Sequence, residues 1–166
     1  VLDGKQAAIL VPTTVLARQH YLTALRRFAK YPVNIDVVSR FRTPAQMKET
    51  LRRVEEGRVD ILIGTHALIE DRVQFSNLGF VVIDEQHRFG VEQRARLWTK
   101  NDQPPHILVM TATPIPRTLA MTLYGDLDVS VIDELPPGRR PIKTFHYTDA
   151  ARLKLFGFMR QEIAKG

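Results

Sequence analysis

Four short apolar runs along the chain each stop at hydroxyl, carboxyl or imidazole side chains. They cover residues 7–11, 61–63, 80–83 and 107–110 and consist mainly of Val, Ile, Leu and Ala. Runs of this length and composition are typical of strands that are buried on both faces of a parallel sheet. Ligands of such sheets bind at the carboxyl ends of the strands, which share one edge. We therefore expect the polar side chains that follow the four runs to form one surface.

The segments between the runs have helical patterns. Residues 14–30 carry apolar side chains spaced by four and then three positions, which predicts a helix with a basic outer face. Thr43 is followed by Pro44 and then by Gln46, the order of a capping box, and Gly57 is placed to end the helix that begins there. Strands that alternate with helices predict an α/β fold in which a parallel sheet is flanked by helices.

The pattern changes near the C-terminal end of the sequence. Residues 133–141 are rich in proline and glycine, which suits a stiff connector better than a helix or a strand. Residues 142–147 then predict a strand and residues 149–165 a helix with one apolar side. The predicted organisation is a first domain over residues 1–135, a linker over residues 136–141, and the start of a second domain over residues 142–166.

An acidic and polar string follows the third apolar run directly, at Asp84, Glu85, Gln86 and His87. Two adjacent carboxylates at the carboxyl end of a strand can serve phosphoryl transfer, one by holding Mg²⁺ and the other by orienting or deprotonating a water. None of the 9 glycines belongs to a loop that ends in Gly-Lys-Ser/Thr and cradles phosphates. Either the chain begins after such a loop, or it does not bind a triphosphate in the usual way.

Composition narrows the possible partners. The chain has 24 Lys and Arg against 18 Asp and Glu, a net charge of +6, and clustered arginines such as Arg40 and Arg42 make a polyanionic partner plausible. The absence of cysteine excludes disulfides and thiolate metal sites. The longest apolar runs have about five residues, far fewer than a membrane span needs. We expect a cytoplasmic protein without a membrane partner.

Two strings identify a family. Residues 84–91 and 111–120 resemble motifs II and III of superfamily 2 helicases, and their full length is similar to RecG-type ATP-dependent DNA helicases. Residues 11–17 and 39–43 are more similar to transcription-repair coupling factors. The resemblance implies a RecA-like, P-loop NTPase type sheet without its P-loop strand, so that residues 1–135 would be a partial first RecA-like domain. It also implies an ATP-driven motor on double-stranded or branched DNA in recombination and repair.

The resemblance assigns roles to the acidic string. Asp84 would hold Mg²⁺ through water, and Glu85 would be the catalytic base for ATP hydrolysis. Gln86 and His87 would connect the nucleotide site with the second string. The residues implied in that coupling are Thr111, Thr113 and Arg117.

The resemblance also implies contacts with DNA phosphates, which give grip without sequence preference. Residues 12–14 and 64–66 look like the helicase motifs Ia and Ib/Ic. The predicted DNA-binding residues are Pro12, Thr13, Thr14, Arg40, Arg42, Gly64, Thr65 and His66.

Alternatives stay open at this point. The threonines at positions 13, 14 and 65 could be plain turn residues, and the chain could be a non-enzymatic DNA-binding module. An artificial splice of two related motors would pack poorly between residues 58 and 80. A motor fragment without its P-loop would hydrolyse little ATP alone. Its strand at residues 107–110 would have one unpaired side, and such an edge invites aggregation.

Overall fold

A computed structural model describes residues 1–85, 104–112, 128–134, 136–139, 142 and 144–165. Five parallel strands form one sheet in the order β2-β3-β1-β4-β5. The strands are β1 (Gln6–Leu10), β2 (Ile35–Val38), β3 (Ile61–Gly64), β4 (Leu78–Asp84) and β5 (His106–Met110). The described helices are α1 (Thr14–Arg27), α2 (Pro44–Glu55) and α3 (Arg152–Ala164), with 3₁₀ turns at His66–Ile69 and Asp149–Ala151. The predicted parallel α/β sheet is confirmed.

The chain divides into two compact units, Val1–Pro116 and Arg117–Gly166. The first unit contains the whole sheet together with α1 and α2, and the second contains α3. No helix among the described residues is long and apolar enough to cross a membrane.

α2 begins and ends where the sequence indicates, whereas α1 ends at Arg27, three residues before the end of the predicted segment. The Thr43 hydroxyl accepts from the backbone N–H of Gln46, whose side chain accepts from the N–H of Thr43 in return, so the predicted capping box is present. Gly57 ends α2 with a φ of 71°, a conformation that favours glycine. On the exposed side of α2, a hydrogen bond from Arg52 lowers the pKa of Glu49.

The two helices cover opposite faces of the sheet. Val54 of α2 belongs to a cluster that includes Leu62 of β3, whereas Ala17 of α1 packs with Ile61 and Ile63. Since neighbouring residues of a strand point to opposite faces, β3 is buried on both sides at all of its four positions. The first unit is therefore a three-layer α/β/α arrangement.

β4 differs from the expectation of burial on both faces. Val81 and Ile83 are buried at 0% and 1% exposure, but Phe80 on the alternate face is 40% exposed. The expectation is correct for β3 and wrong for β4, because α1 packs mainly over β2 and β3. The side of β4 that faces away from α2 keeps a partly exposed apolar surface.

Buried polar side chains tie the elements together. Gln6 of β1 is 4% exposed. Its amide donates to the carbonyl oxygens of Val54 and Val59 at 2.9 and 2.8 Å and accepts from the backbone N–H of Asn77 at 2.9 Å. Between positions 58 and 80, Val59 and Val73 are buried at 1% and 0% exposure. The splice alternative predicts low thermal cooperativity, a property that burial does not test.

The described part of the second unit consists of a 3₁₀ turn and α3. The predicted helix over residues 149–165 is confirmed by Asp149–Ala151 and Arg152–Ala164. The predicted strand over residues 142–147 is wrong for the residues described there, which belong to no strand. A strand needs a neighbour for its hydrogen bonds, and the pattern of its own residues does not supply one.

Candidate functional site

The polar residues predicted to share an edge lie at the carboxyl ends of neighbouring strands. Thr13 follows β1, Thr65 follows β3, Glu85 follows β4 and Thr111 follows β5. Because β1 lies between β3 and β4 in a parallel sheet, the threonine-containing loops and the acidic pair occupy adjacent positions on one edge. Four elements separated in sequence therefore contribute to one surface.

Asp84 ends β4 and is held by a histidine of α1. The Nε2 atom of His20 lies 3.0 Å from Oδ2 of Asp84, and the two side chains are 30% and 20% exposed. A carboxylate only accepts hydrogen bonds, so Nε2 of His20 is the donor in this contact. The remaining exposure of Asp84 leaves the carboxylate accessible from solvent.

Glu85 has an unusual backbone conformation. Its φ is 53°, and it is the one non-glycine residue with a positive φ in the described part of the chain. Placing a residue with a Cβ in this region costs about 1 to 2 kcal/mol. Such strain persists where the surrounding structure imposes it, and it is concentrated at functional sites. Glu85, directly after the end of β4, is therefore a strained position at the candidate site.

The residues fit a Mg²⁺ ion that is shared with a nucleotide. Mg²⁺ prefers octahedral oxygen ligands and keeps several waters, so proteins hold it with one or two carboxylates together with substrate phosphates. Asp84 and Glu85 supply such carboxylates at the sheet edge. No group of three or more His, Asp or Glu side chains that could cage a metal by itself occurs among the described residues.

A cleft of about 370 Å³ lies beside the ends of β1, β2 and β3. It brings together six of the eight predicted DNA-binding residues: Pro12, Thr13, Thr14, Arg40, Thr65 and His66. Arg72 also lines the cleft and forms an ion pair of 2.6 Å with Glu70. The sequence analysis missed Arg72, although its position beyond the 3₁₀ turn that contains His66 places it near this edge.

Arg40 and its neighbour Phe41 project from the loop after β2. The guanidinium carbon of Arg40 lies 5.4 Å from the centre of the Phe41 ring, and Phe41 is 73% exposed. A cation over an aromatic face at this distance is attracted by the ring. The pairing keeps an arginine at the mouth of the cleft.

Arg42 has a different environment from the one expected for a DNA contact. Its Nη2 atom donates to Oδ1 of Asp36 at 2.6 Å, and Asp36 is 5% exposed. The other carboxylate oxygen accepts from Thr50 at 3.0 Å and from Arg53 at 3.3 Å. This buried carboxylate ties the loop after β2 to α2. Arg42 therefore has a structural role in holding that loop. Its contact with DNA stays a prediction.

Two of the predicted DNA contacts, Thr13 and Gly64, have structural roles as well. Thr13 caps α1, since its Oγ1 accepts from the backbone N–H of Leu16 at 3.2 Å. Gly64 lies where a Cβ would approach within 2.5 Å of Cγ2 of Val38, and its carbonyl accepts from Val11. Capping by Thr13 is compatible with lining the cleft, whereas Gly64 is explained by close packing.

The predicted coupling and catalytic sets are only partly visible. Thr111 follows β5 and is exposed. Gln86, His87, Thr113 and Arg117 lie outside the described residues. Their roles stay predictions.

His20 is a second site residue that the sequence analysis overlooked. A signal was present, because His20 lies three residues after Ala17 and four before Ala24, and both alanines are buried against the sheet. A titratable side chain within the buried stripe of a helix is a candidate for a specific partner. The identity of that partner depends on the packing of α1 near β4, which the sequence pattern does not contain.

The sequence is similar to the DEAD/DEAH box helicase family over residues 1–122. The ATP-dependent DNA helicase RecG of Aquifex aeolicus (strain VF5) is 49% identical over 167 residues, covering 100% of this chain and 21% of that protein. The Transcription-repair-coupling factor of Myxococcus xanthus is 46% identical over 167 residues, covering 99% of this chain and 14% of that protein. The chain spans about a fifth of the length of the RecG relatives it matches.

A solved structure of RecG bound to three-way DNA junction matches the fold with a TM-score of 0.82 and 41% sequence identity. The match covers 98% of this chain and 22% of that chain. These similarities confirm the predicted RecA-like fold and its incompleteness, and they confirm the resemblance to both the RecG-type helicases and the coupling factors.

Proposed function

Because the chain belongs to the DEAD/DEAH box helicase family, we propose that it is part of an ATP-dependent helicase that translocates on double-stranded, branched DNA in recombination and repair. The observation that carries the proposal is the shared edge of the sheet. The Asp84–Glu85 pair at the end of β4 lies beside the loops of β1 and β3, which line a cleft with threonine and arginine side chains. This arrangement supports the proposal that adjacent strands carry the nucleotide chemistry and the grip on phosphates.

Two carboxylates have complementary tasks in the proposed hydrolysis of ATP. Asp84 would hold Mg²⁺ through water, and Glu85 would orient the attacking water and accept its proton. Bound Mg²⁺ would supply charge neutralisation at the phosphate oxygens, which a loose phosphoryl-transfer transition state needs. Gln86 and His87 connect this site with Thr111, Thr113 and Arg117, so that the nucleotide state reaches the DNA-binding surface.

The cleft is the proposed site for DNA phosphates. Backbone N–H groups at the start of α1, the hydroxyls of Thr13, Thr14 and Thr65, and the cation of Arg40 are donors of the kind that phosphates accept. Pro12, Gly64 and His66 shape the same loops, and Arg42 supports the loop that carries Arg40. RecG is the protein in the similar solved structure bound to a three-way junction. That similarity supports branched DNA as the partner.

The proposal includes the organisation of the chain and its compartment. Residues 1–135 are a partial first RecA-like domain, residues 136–141 a linker, and residues 142–166 the start of a second domain. The linker is supported by Gly138, whose φ of 84° lies in a turn. A DNA motor of this kind acts in the cytoplasm.

The test is ATP hydrolysis by the complete protein with and without forked DNA, measured for the wild type and for Glu85→Gln. We expect DNA-stimulated turnover in the wild type. Glu85→Gln keeps the shape of the side chain but cannot accept the proton, so turnover should fall by about 100-fold or more. Binding to forked DNA should be unchanged, because Glu85 does not line the cleft.

A DNA-binding module without catalysis would differ from the motor in ATP hydrolysis alone. The wild type would bind forked DNA but would hydrolyse no ATP, and Glu85→Gln would change neither property. That result would overturn the motor proposal while leaving the cleft in place.

A second candidate function is the motor of a transcription-repair coupling factor. It is favoured by the 46% identity with the Myxococcus xanthus protein over 99% of this chain. The two candidates differ in their partner rather than in their chemistry. Displacement of a stalled RNA polymerase by the complete protein would favour the coupling factor, and unwinding of a fork without polymerase would favour the RecG-like helicase.

A further inference from the structure

His20 of α1 contacts the proposed Mg²⁺ ligand and has no part in the chemistry described above. The contact joins residues that are 64 positions apart, and its length is 3.0 Å. The side chains of His20 and Asp84 are 30% and 20% exposed, so the bond is partly shielded from water. A hydrogen bond to a carboxylate is stronger than one between two neutral groups.

The bond restricts the orientation of the carboxylate. Oδ2 of Asp84 accepts from His20, and this fixes the plane of the carboxylate at the end of β4. In metal sites, outer hydrogen-bond partners orient the ligands and commonly change metal affinity by about 10- to 100-fold when they are removed. His20 has the geometry of such a partner.

The helix that carries His20 is packed against the sheet. Ala17 and Ala24 lie on either side of His20 along the helix and are 0% and 8% exposed. Alanine side chains allow a close approach between helix and sheet, and this places the ring of His20 within reach of β4. The helix therefore presents the donor from a fixed position rather than from a flexible loop.

The same helix begins at the proposed DNA site. Thr13 caps α1 and lines the cleft, as does Thr14 at the first helical position. From Thr14 to His20 the helix rises about 9 Å at 1.5 Å per residue. One rigid element therefore borders the phosphate-binding cleft at its start and contacts the metal ligand less than two turns later.

We propose that His20 is a positioning residue that holds Asp84 for Mg²⁺ and connects this ligand to the helix that borders the DNA cleft. The proposal rests on the proposed function, since it assumes that Asp84 serves a Mg²⁺–nucleotide complex. A purely structural role for His20 makes a different prediction. Loss of the bond would then lower stability without changing the Mg²⁺ dependence of any property.

The experiment measures binding of a fluorescent ADP to the complete protein as Mg²⁺ is varied, so that no turnover is required. His20→Leu removes the donor, and His20→Gln retains an N–H group at a similar distance from the backbone. Gln19→Leu is the matched control, because Gln19 is the exposed neighbour on the same helix. Urea unfolding without Mg²⁺ reports stability separately, and His20→Ala repeats the comparison if the leucine variant does not fold.

We expect the Mg²⁺ concentration for half-maximal nucleotide binding to rise about tenfold in His20→Leu. His20→Gln should restore it close to the wild-type value, and Gln19→Leu should not change it. Stimulation of ATP hydrolysis by forked DNA should weaken in His20→Leu, while binding of forked DNA without nucleotide should be retained. An unchanged Mg²⁺ dependence in folded His20→Leu, with only lower stability, would overturn the proposal.

The two proposals fail in distinguishable ways. If the wild type shows neither Mg²⁺-dependent nucleotide binding nor DNA-stimulated hydrolysis, the proposed function itself is wrong. If the wild type hydrolyses ATP, Glu85→Gln abolishes turnover and His20→Leu behaves as the wild type does, only the role of His20 is wrong.

Discussion

Single residues at the sheet edge combine structural and functional demands. Glu85 occupies a backbone region that favours glycine, with a φ of 53°, although a carboxylate is expected there for chemistry. Gly64 shows the reverse, because close packing leaves no room for a side chain there. The sequence motif made both residues candidates for function. Only the structure distinguishes a residue whose side chain is expected to act chemically from one where a side chain would not fit.

Gly64→Ala tests the packing explanation. A Cβ at this position would lie 2.5 Å from Cγ2 of Val38, 2.9 Å from Cγ of Leu68 and 2.9 Å from the carbonyl oxygen of Val38. The backbone oxygen cannot move without disturbing β2, so the substitution should cost about 1 to 3 kcal/mol of folding stability. Urea unfolding followed by circular dichroism measures the loss.

Gly157→Ala is the matched control for this substitution. Gly157 lies in α3, and a Cβ built there meets nothing within 4 Å. Alanine favours a helix over glycine, so stability should stay the same or increase slightly. Equal stabilities for the Gly64→Ala variant and the wild type would contradict the packing explanation, and a specific loss of DNA binding would then favour a functional one.

At the scale of elements, the sequence predicted the helix ends that depend only on nearby residues. Thr43 and Gln46 fixed the start of α2 and Gly57 its end, because capping bonds and a positive φ involve only nearby residues. Predictions that depended on a partner from elsewhere were weaker. The strand expected over residues 142–147 is not formed in its described part, and the contact of His20 with β4 was not anticipated.

Thr43→Ala measures how much the capping box contributes to the first unit. The substitution removes the oxygen that accepts from the N–H of Gln46 at 3.2 Å. Loss of such a cap typically costs about 1 kcal/mol. Since α2 carries Val54 into the core and Thr50 to Asp36, the cost should appear in the global unfolding of the first unit. A lower urea midpoint with an unchanged slope is the expected result.

Thr148→Ala is the comparison within the same chain. Thr148 also precedes a helical turn, at Asp149–Ala151, but its side chain makes no capping hydrogen bond. Its replacement should leave the urea midpoint unchanged. If both substitutions had the same effect, the loss of stability in Thr43→Ala would reflect the general replacement of threonine by alanine rather than the loss of the capping hydrogen bond.

At the scale of the whole molecule, β5 is the last strand on one side of the described sheet. β5 pairs with β4 through residues such as Leu108, and no further strand adjoins it among the described residues. Leu108 is 45% exposed, and Phe80, which lies two residues before the β4 partner of Leu108 on the same face of the sheet, is 40% exposed. An exposed strand edge next to an apolar surface offers hydrogen bonds and hydrophobic contact to another chain. The sequence predicted this edge through the resemblance to RecA-like domains, since periodicity alone does not give strand order.

We therefore expect this chain, expressed by itself, to associate as its concentration rises, and Leu108→Lys to reduce that association. A lysine on an edge strand opposes pairing because its charge would have to be buried against a second sheet. Sedimentation velocity over a range of concentrations measures the shift toward monomer. Leu2→Lys is the control, because Leu2 is 84% exposed but lies outside the sheet.

The alternative site of association is α3 in the second unit, where Leu153 is 85% exposed. If Leu153→Lys restores the monomer and Leu108→Lys does not, association proceeds through the second unit and the β5 edge is not its cause.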